Sequence, residues 1–327
     1  MKISIAMATY NGEKYLQEQL DSFLNQTVLP NELIVVDDCS TDNTVAILNS
    51  FKINAPFEVN IYINEKNIGG SMYNGYAQNF SKAIEKCSGD YIFFSDQDDV
   101  WFKEKIETHI NIYKNKPEVK YIYNVAKRVS SDLSSMISEE ASDYCRYLKK
   151  PIFGCCHSGK RDFLKKYWPI PKQVAHDWWY VACTELENNF YFCHQTLQLY
   201  RTHSSQVTFR NNIKSNPFQK LFSSISKFIN NDDIKHINSE IQMWEPRLNA
   251  IKQYWSKFIT EEEFPEFYHK SLFHYKCYKL RLEYINEMNF FKRLVNITKN
   301  FNVVYKEAAS GSPITKAFRD LVNLYKK

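Results

Sequence analysis

The passage that most constrains this chain is Tyr91-Ile92-Phe93-Phe94 running directly into Ser95-Asp96-Gln97-Asp98-Asp99-Val100-Trp101. Four β-prone apolar residues leading into three carboxylates read as a buried strand. Such a strand delivers acidic groups to its C-terminal end, the edge where open α/β sheets place their ligands. Charges so close repel one another unless something compensates them. A hard divalent cation does so, because Mg²⁺ or Mn²⁺ takes carboxylate oxygens and keeps positions for water and substrate phosphates. The plainer alternative is a solvated acidic turn capping a helix that begins near Phe102, since Asp is favoured at helix N-termini.

The residues upstream repeat the same plan. Residues 2–8 form a first apolar strand, broken by Thr9-Tyr10-Asn11-Gly12, and Leu16, Leu20, Phe23 and Leu24 give the following helix one apolar stripe. Leu33-Ile34-Val35-Val36 is a second buried strand ending in Asp37-Asp38. Ser40, Thr41 and Asp42 are cap candidates for a helix carrying Val45, Leu48 and Phe51. A strand over 59–63 and the loop 64–70 lead to a helix holding Tyr73, Ala77, Phe80 and Ile84, which Gly89 closes. This alternation predicts a parallel sheet wrapped by helices. The first, second and fourth strands each end in a polar group: Thr9, Asn11 and Glu13; Asp37 and Asp38; Asp96, Asp98 and Asp99. Carboxylates and amides converging on one edge can bind a pyrimidine base and ribose while the last group holds a metal on the diphosphate.

Composition removes several classes. At 327 residues and 44% hydrophobic the chain can bury a real core, and it has no segment of 18 uninterrupted apolar residues to span a membrane. Its apolar start turns polar too soon for a secretion signal. None of the eight cysteines forms a C-x-x-C pair, so they read as reduced thiols of a cytosolic protein. No G-x-G-x-x-G or G-x-x-x-x-G-K-[ST] motif is present. The net charge of +5 is uneven, since residues 204–327 carry 20 basic against 12 acidic side chains. A modest basic excess without a recognition motif argues against nucleic acid. It leaves two readings of the tail: facing anionic lipid at the inner face of the cell membrane, or simply solubilising aromatic-rich helices.

Three passages in order, Ala8-Thr9-Tyr10-Asn11-Gly12-Glu13-Lys14-Tyr15-Leu16, Val36-Asp37-Asp38-Cys39-Ser40-Thr41-Asp42-Asn43-Thr44 and Phe94-Ser95-Asp96-Gln97-Asp98-Asp99-Val100-Trp101, resemble glycosyltransferase family 2. The Asp-Gln-Asp-Asp-Val-Trp variant is similar to the rhamnosyltransferase-like branch, which assembles bacterial capsule and O-antigen sugars. The resemblance implies an α/β fold of GT-A type, a Rossmann-like, mostly parallel sheet flanked by helices, with a helical C-terminal region. It also implies a UDP- or dTDP-sugar donor, a saccharide or lipid-linked saccharide acceptor, a divalent cation (Mn²⁺ or Mg²⁺) and inversion at the anomeric carbon. Carried over by position, Thr9, Tyr10, Glu13 and Asp38 would lie along base and ribose, Asp96 would approach ribose and metal, and Asp98 would bind the cation directly.

Further along, residues 102–115 (Phe102, Ile106, Ile110, Tyr113) form a helix and 121–126 a strand. The serine-rich segment Ser130 to Tyr144 reads as a mobile loop over the acceptor side. Pro151 to Ser158 resembles the family's glycine turn beneath the acceptor pocket, and the helix 161–168 is ended by Pro169 and Pro171. His176-Asp177-Trp178-Trp179 opens another helix. By residue type alone Asp177 is its N-cap; in the family an acidic residue here is the general base. Strand 190–200 delivers Arg201, which the resemblance makes a diphosphate contact, and His203, which it makes a further metal ligand.

The likeness ends near residue 208, predicting a catalytic domain over 1–208 and a helical, basic, aromatic-rich region over 209–327. There Phe218, Leu221, Phe222 and Ile225 keep helical spacing. So do Ile234, Ile237, Ile241, Trp244, Leu248, Ile251, Trp255 and Phe258, in a stretch interrupted by Pro246, with further helices over 266–305 and 313–325. Such stripes serve as core, as contact within a homo-oligomer, or as a membrane-docking face. Two rival functions remain at this level. A nucleotidyltransferase needs a basic glycine-rich loop that Thr9 to Glu13 does not supply, and a non-catalytic nucleotide-sugar-binding or assembly protein could keep the fold without the chemistry.

Overall fold

Ile3–Thr9 forms β1, buried along nearly its whole length, and it can be central only because both neighbours are equally apolar. Those neighbours are β2 (Glu32–Asp37) and β4 (Tyr91–Ser95), both parallel to it, and β3 (Glu58–Ile63) adds to β2. Register fixes what the sequence could only suggest. Thr9 is level with Asp37, Asp37 with Ile63, and Met7 with Ser95, so the polar residues after β1, β2 and β4 emerge on one edge. Beyond β4 the sheet turns mixed. It continues through β8 (His157–Lys160), β6 (Tyr121–Val129), β9 (Phe190–Arg201) and β5 (Val100–Trp101), with β7 (Met136–Glu140) paired to β6. Strands β6 and β9 are parallel; the β4–β8, β6–β8, β6–β7 and β5–β9 pairs are antiparallel.

This computed structural model describes residues 1–69, 75–140, 153–172, 174–204, 206, 232–257, 259–286 and 296–300. They divide between two compact units, Met1–Arg210 and Asn211–Lys327. In the first, the helices are α1 (Leu16–Leu24), α2 (Thr44–Asn54), α3 (Gly75–Lys86), α4 (Lys105–Asn115), α5 (Arg161–Lys166) and α6 (His176–Glu187). Leu16, Leu20 and Phe23 of α1 pack with Ile5, Met7, Leu33 and Trp101 in one core, each full burial contributing about 1.5–3 kcal/mol. Leu24, assigned to the same stripe, is exposed instead, being one residue past the buried arc. Tyr73 lies outside the described residues.

Two expectations change. The segment after residue 130 is not a loop throughout: a turn closed by the Ser130 N–H on the Ser135 carbonyl (2.9 Å) leads into β7, which pairs along β6. Residues 141–144 lie outside the description. The stretch through Pro246 is not interrupted either, because α7 (Asp232–Trp255) runs on through it. Proline costs a helix one hydrogen bond, and burial of Leu248, Ile251 and Trp255 just after it sustains the helix. In this second unit α8 (Glu266–Asn286) folds back on α7, with Ile237 and Ile241 against Tyr275, Tyr278 and Leu282, and Trp255 against Phe264 and Tyr268. Phe218 to Ile225, Phe258 and the segments 287–295 and 301–327 fall outside the description. Among the described residues no helix is long and apolar enough to cross a membrane.

The opposite edge of the parallel strands is locked by Glu32. Its carboxylate accepts from Ser4 Oγ (2.5 Å), Ser88 N (2.6 Å) and Ser88 Oγ (2.7 Å) and pairs with Lys2 Nζ at 3.0 Å. Burial opposes its charge, but these partners prevail and hold the group down to about 2. A carboxylate more acidic in the folded than in the unfolded chain stabilises fully above its unfolded value, and the gain fades as pH falls toward the folded value. Glu32→Gln is therefore expected to cost about 1–3 kcal/mol at pH 7. The difference from the parent should shrink as pH drops below about 4.5, the unfolded value. Urea melts across pH 3 to 7 check it; a constant difference would contradict the assignment.

Candidate active site

The edge formed by β1, β2 and β4 is assembled before any ligand needs to be considered. Thr9 is buried, its hydroxyl donating to Asp37 Oδ2 at 2.8 Å, and Asp37 also holds Ser40 through N (2.8 Å) and Oγ (2.6 Å). Asp38 is buried too, accepting from Asn64 Nδ2 (2.8 Å) and the Ile68 N–H (2.9 Å), so it anchors the 64–69 loop beside the edge. Glu13 accepts from Asn43 N (2.9 Å) and Nδ2 (2.7 Å) at the start of α2. The Tyr10 side chain is exposed. The four positions expected along base and ribose thus share one edge, with three of their side chains bracing the loops and Tyr10 open to solvent.

The acidic loop after β4 meets the end of β9. Asp98 Oδ2 lies 2.8 Å from His203 Nε2, and both side chains are largely buried. The ring of Tyr15 sits 4.6 Å from that imidazole. The two are hydrogen-bonded to each other; the carboxylate oxygen suits a hard divalent cation, and the imidazole nitrogen beside it is a borderline ligand that can join it once Nε2 carries no proton. A second grouping, Asp96, Asp99 and Cys155, brings one potential ligand atom from each within 4.8 Å of the others. Its chemistry is less suited. Asp99 already accepts from Gln198 Nε2 (3.2 Å) and Arg201 N (3.1 Å), and burial pushes both the Asp99 carboxyl and the Cys155 thiol well up toward their neutral forms.

Arg201 is placed unlike a phosphate ligand open to solvent. It is 1% exposed and its three guanidinium nitrogens are engaged: Nε donates to the Asp98 carbonyl (2.8 Å), Nη1 to the Ser131 carbonyl (2.5 Å) and Nη2 to Glu18 at 2.7 Å. The group also lies 4.5 Å from the Tyr15 ring. What it does here is fix the backbone of Asp98 relative to β9, two residues before His203.

Behind the carboxylates stands a residue that sequence reading missed. Lys105, at the start of α4, is fully buried, its ammonium donating to the Cys155 carbonyl (2.8 Å) and to Gln198 Oε1, and lying 3.9 Å from the Trp101 ring. Burial pulls it down to about 8. A lysine on a helix ordinarily reads as solvated, so nothing in its local sequence signals this role. Asp96 is pushed up to about 7, first by burial, then by Asp98, with Asp177 contributing. Asp177 therefore lies within electrostatic range of the acidic loop although it comes from α6. It is not the N-cap; that is Ala175, and Asp177 sits in the first turn with Oδ1 accepting from the Trp178 N–H at 2.7 Å. The glycine turn supports this placement. Gly154 lies against His176, where an added Cβ would stand 2.5 Å from Cε1, so any larger residue would have to displace the imidazole at the start of α6, next to Asp177. Pro151 and Ile152 lie outside the description.

Comparison with known proteins bears on the family and the fold. Residues 4–168 match Glycosyl transferase family 2. Over 212 residues the chain is 32% identical to the dTDP-rhamnosyl transferase RfbG of Shigella flexneri, covering 61% of this chain and 72% of that one. Residues 1–349 of TarS from Staphylococcus aureus, solved with UDP-GlcNAc, have a TM-score of 0.59 at 16% identity, over 99% of this chain and 89% of that one. The mannosyltransferase PcManGT from Pyrobaculum calidifontis, solved with GDP-Man and Mn²⁺, gives 0.51 at 13% identity, over 99% and 81%. At these identities the two structures speak to the fold.

Proposed function

Because the chain belongs to glycosyl transferase family 2, we propose that it is an inverting, metal-dependent enzyme moving a sugar from a UDP- or dTDP-sugar to a saccharide acceptor in bacterial surface polysaccharide synthesis. The glycosyltransferase class and the GT-A fold follow from the family and its structural neighbours; the donor, the metal and the residue roles are our reading. The observation that carries it is the Asp98–His203 pair, 2.8 Å apart at the C-terminal edge of the sheet, with Asp177 close enough to influence Asp96. Rhamnose is the favoured sugar, since RfbG is named for it and the Asp-Gln-Asp-Asp-Val-Trp run resembles that branch.

Asp98 and His203 would hold the cation, which when bound supplies positive charge to the departing diphosphate. Tyr10 is the exposed side chain for stacking against the base, while Thr9, Glu13 and Asp38 shape the base and ribose pocket through the loops they brace. Asp96, whose carboxyl is pushed up by burial and by Asp98, is the carboxyl group for the ribose. Arg201 acts by holding Asp98, a change from the diphosphate contact that the resemblance implies. Inversion requires the acceptor oxygen to attack the anomeric carbon from the face opposite the diphosphate. As that C–O bond forms and the bond to the phosphate oxygen breaks, the acceptor proton passes to Asp177.

Thermal shift with UDP, dTDP and GDP, each with and without Mn²⁺, tests the reading. A stabilisation by UDP or dTDP that grows with Mn²⁺ is expected. A response to GDP alone would overturn the donor, and no response to any nucleotide would favour an assembly protein that has kept the fold.

A further inference from the structure

Gln97 stands between Asp96 and Asp98 in the sequence, and its side chain bonds to the backbone of Tyr10, the residue after β1. Its Oε1 accepts the Tyr10 N–H at 2.8 Å and its Nε2 donates to the Tyr10 carbonyl at 2.9 Å. One side-chain amide thus pairs with both polar groups of a single backbone residue, as a neighbouring strand would. Among the described residues, both hydrogen bonds joining the Tyr10–Gly12 turn to the 95–99 loop come from this amide. Gly12 makes room for it, because a Cβ there would lie 2.3 Å from Gln97 Oε1 and 2.5 Å from its Cδ. On its other side the turn is tied to the start of α2: Asn11 Oδ1 accepts the Thr41 N–H and the Gly12 N–H donates to Thr44 Oγ1, each at 2.8 Å.

Since Gln97 is covalently next to Asp98, the backbone that sets the cation ligand is held in register with the turn that carries Tyr10. We infer that Gln97 is a positioning residue that couples the nucleotide-base side of the site to the cation side, so that each ligand tightens the other beyond their direct contact. The inference rests on the proposed cation at Asp98. Coupling between sites is reciprocal: whatever factor the metal adds to nucleotide affinity, the nucleotide adds to metal affinity. Loss of two neutral hydrogen bonds should lower that factor by about 5- to 150-fold if their worth is expressed only when both ligands are bound.

The test is calorimetric titration of Mn²⁺, and of UDP and dTDP, each alone and with the other component saturating. It uses wild type, Gln97→Met, which keeps length and packing but neither hydrogen bond, and Gly12→Ala, which displaces the amide by a different route. Expected are nearly unchanged affinities for single ligands in Gln97→Met and a coupling factor reduced at least fivefold in both variants. A merely structural clamp would lower melting temperature and single-ligand affinities while leaving the factor alone, and that result overturns the inference. Should Gln97→Met fail to fold, the factor in Gly12→Ala decides. If wild type itself shows no Mn²⁺-dependent nucleotide binding, the proposed cation site fails, an outcome separate from an unchanged coupling factor in the variants.

Discussion

Asp177→Asn is expected to reduce sugar transfer by about 10² to 10⁴-fold while leaving fold and nucleotide binding close to the parent. A sugar hydroxyl is a poor nucleophile unaided, and its proton must leave on the side away from the diphosphate. Asp177 comes from α6, well after β4 in the sequence, yet it adds to the upward push on the Asp96 carboxyl. The variant separates chemistry from helix support. Asparagine keeps an oxygen for the bond that Asp177 Oδ1 takes from the Trp178 N–H, but it cannot accept the acceptor's proton. The loss should appear in kcat with little change in donor KM. Near-normal transfer, or a loss explained by unfolding of α6, would return Asp177 to a helix-start residue.

Asp98→Asn should remove the metal-dependent part of nucleotide binding and lower transfer by about 10²-fold or more. A neutral amide is a poor ligand for a hard cation, and altering residues that only orient metal ligands already costs about 10–100-fold in metal affinity. The substitution also takes from His203 the carboxylate that faces it at 2.8 Å. Binding measured in EDTA should be nearly the same for both proteins. Titrations with and without Mn²⁺ read this directly, and equal binding by both in Mn²⁺ would refute the assignment.

What the sequence disclosed followed the strength of its local signal. Strands β1, β2 and β4 were legible because strands buried on both faces need continuous apolar runs, and α1 because Leu16, Leu20 and Phe23 repeat at helical spacing. The strand His157–Lys160 was not, since its four residues are polar or small and the first three are buried by neighbours the sequence cannot bring together. Likewise Met136–Glu140 sits in a serine-rich passage and gains strand form only by pairing with β6. In the site, the acidic run announced itself, whereas Lys105 and Gln198 did not, because a buried lysine and its amide partner are specified by three-dimensional enclosure alone. Arg201 was singled out, but its engagement with Glu18, Ser131 and Asp98 depends on elements separated by up to 183 residues. Gln97 lay within the quoted motif, and only the closeness of Gly12 gives it a purpose.

The central claim is that this edge transfers sugar from a nucleoside diphosphate with help from a cation. It is tested most directly by following nucleoside diphosphate release from a panel of UDP- and dTDP-sugars, with Mn²⁺ and with EDTA, for wild type and Asp98→Asn. The account predicts turnover of at least one donor by wild type in Mn²⁺, suppressed by EDTA and by the substitution. Turnover that persists in EDTA and in Asp98→Asn, or no turnover of any donor by wild type, would contradict it.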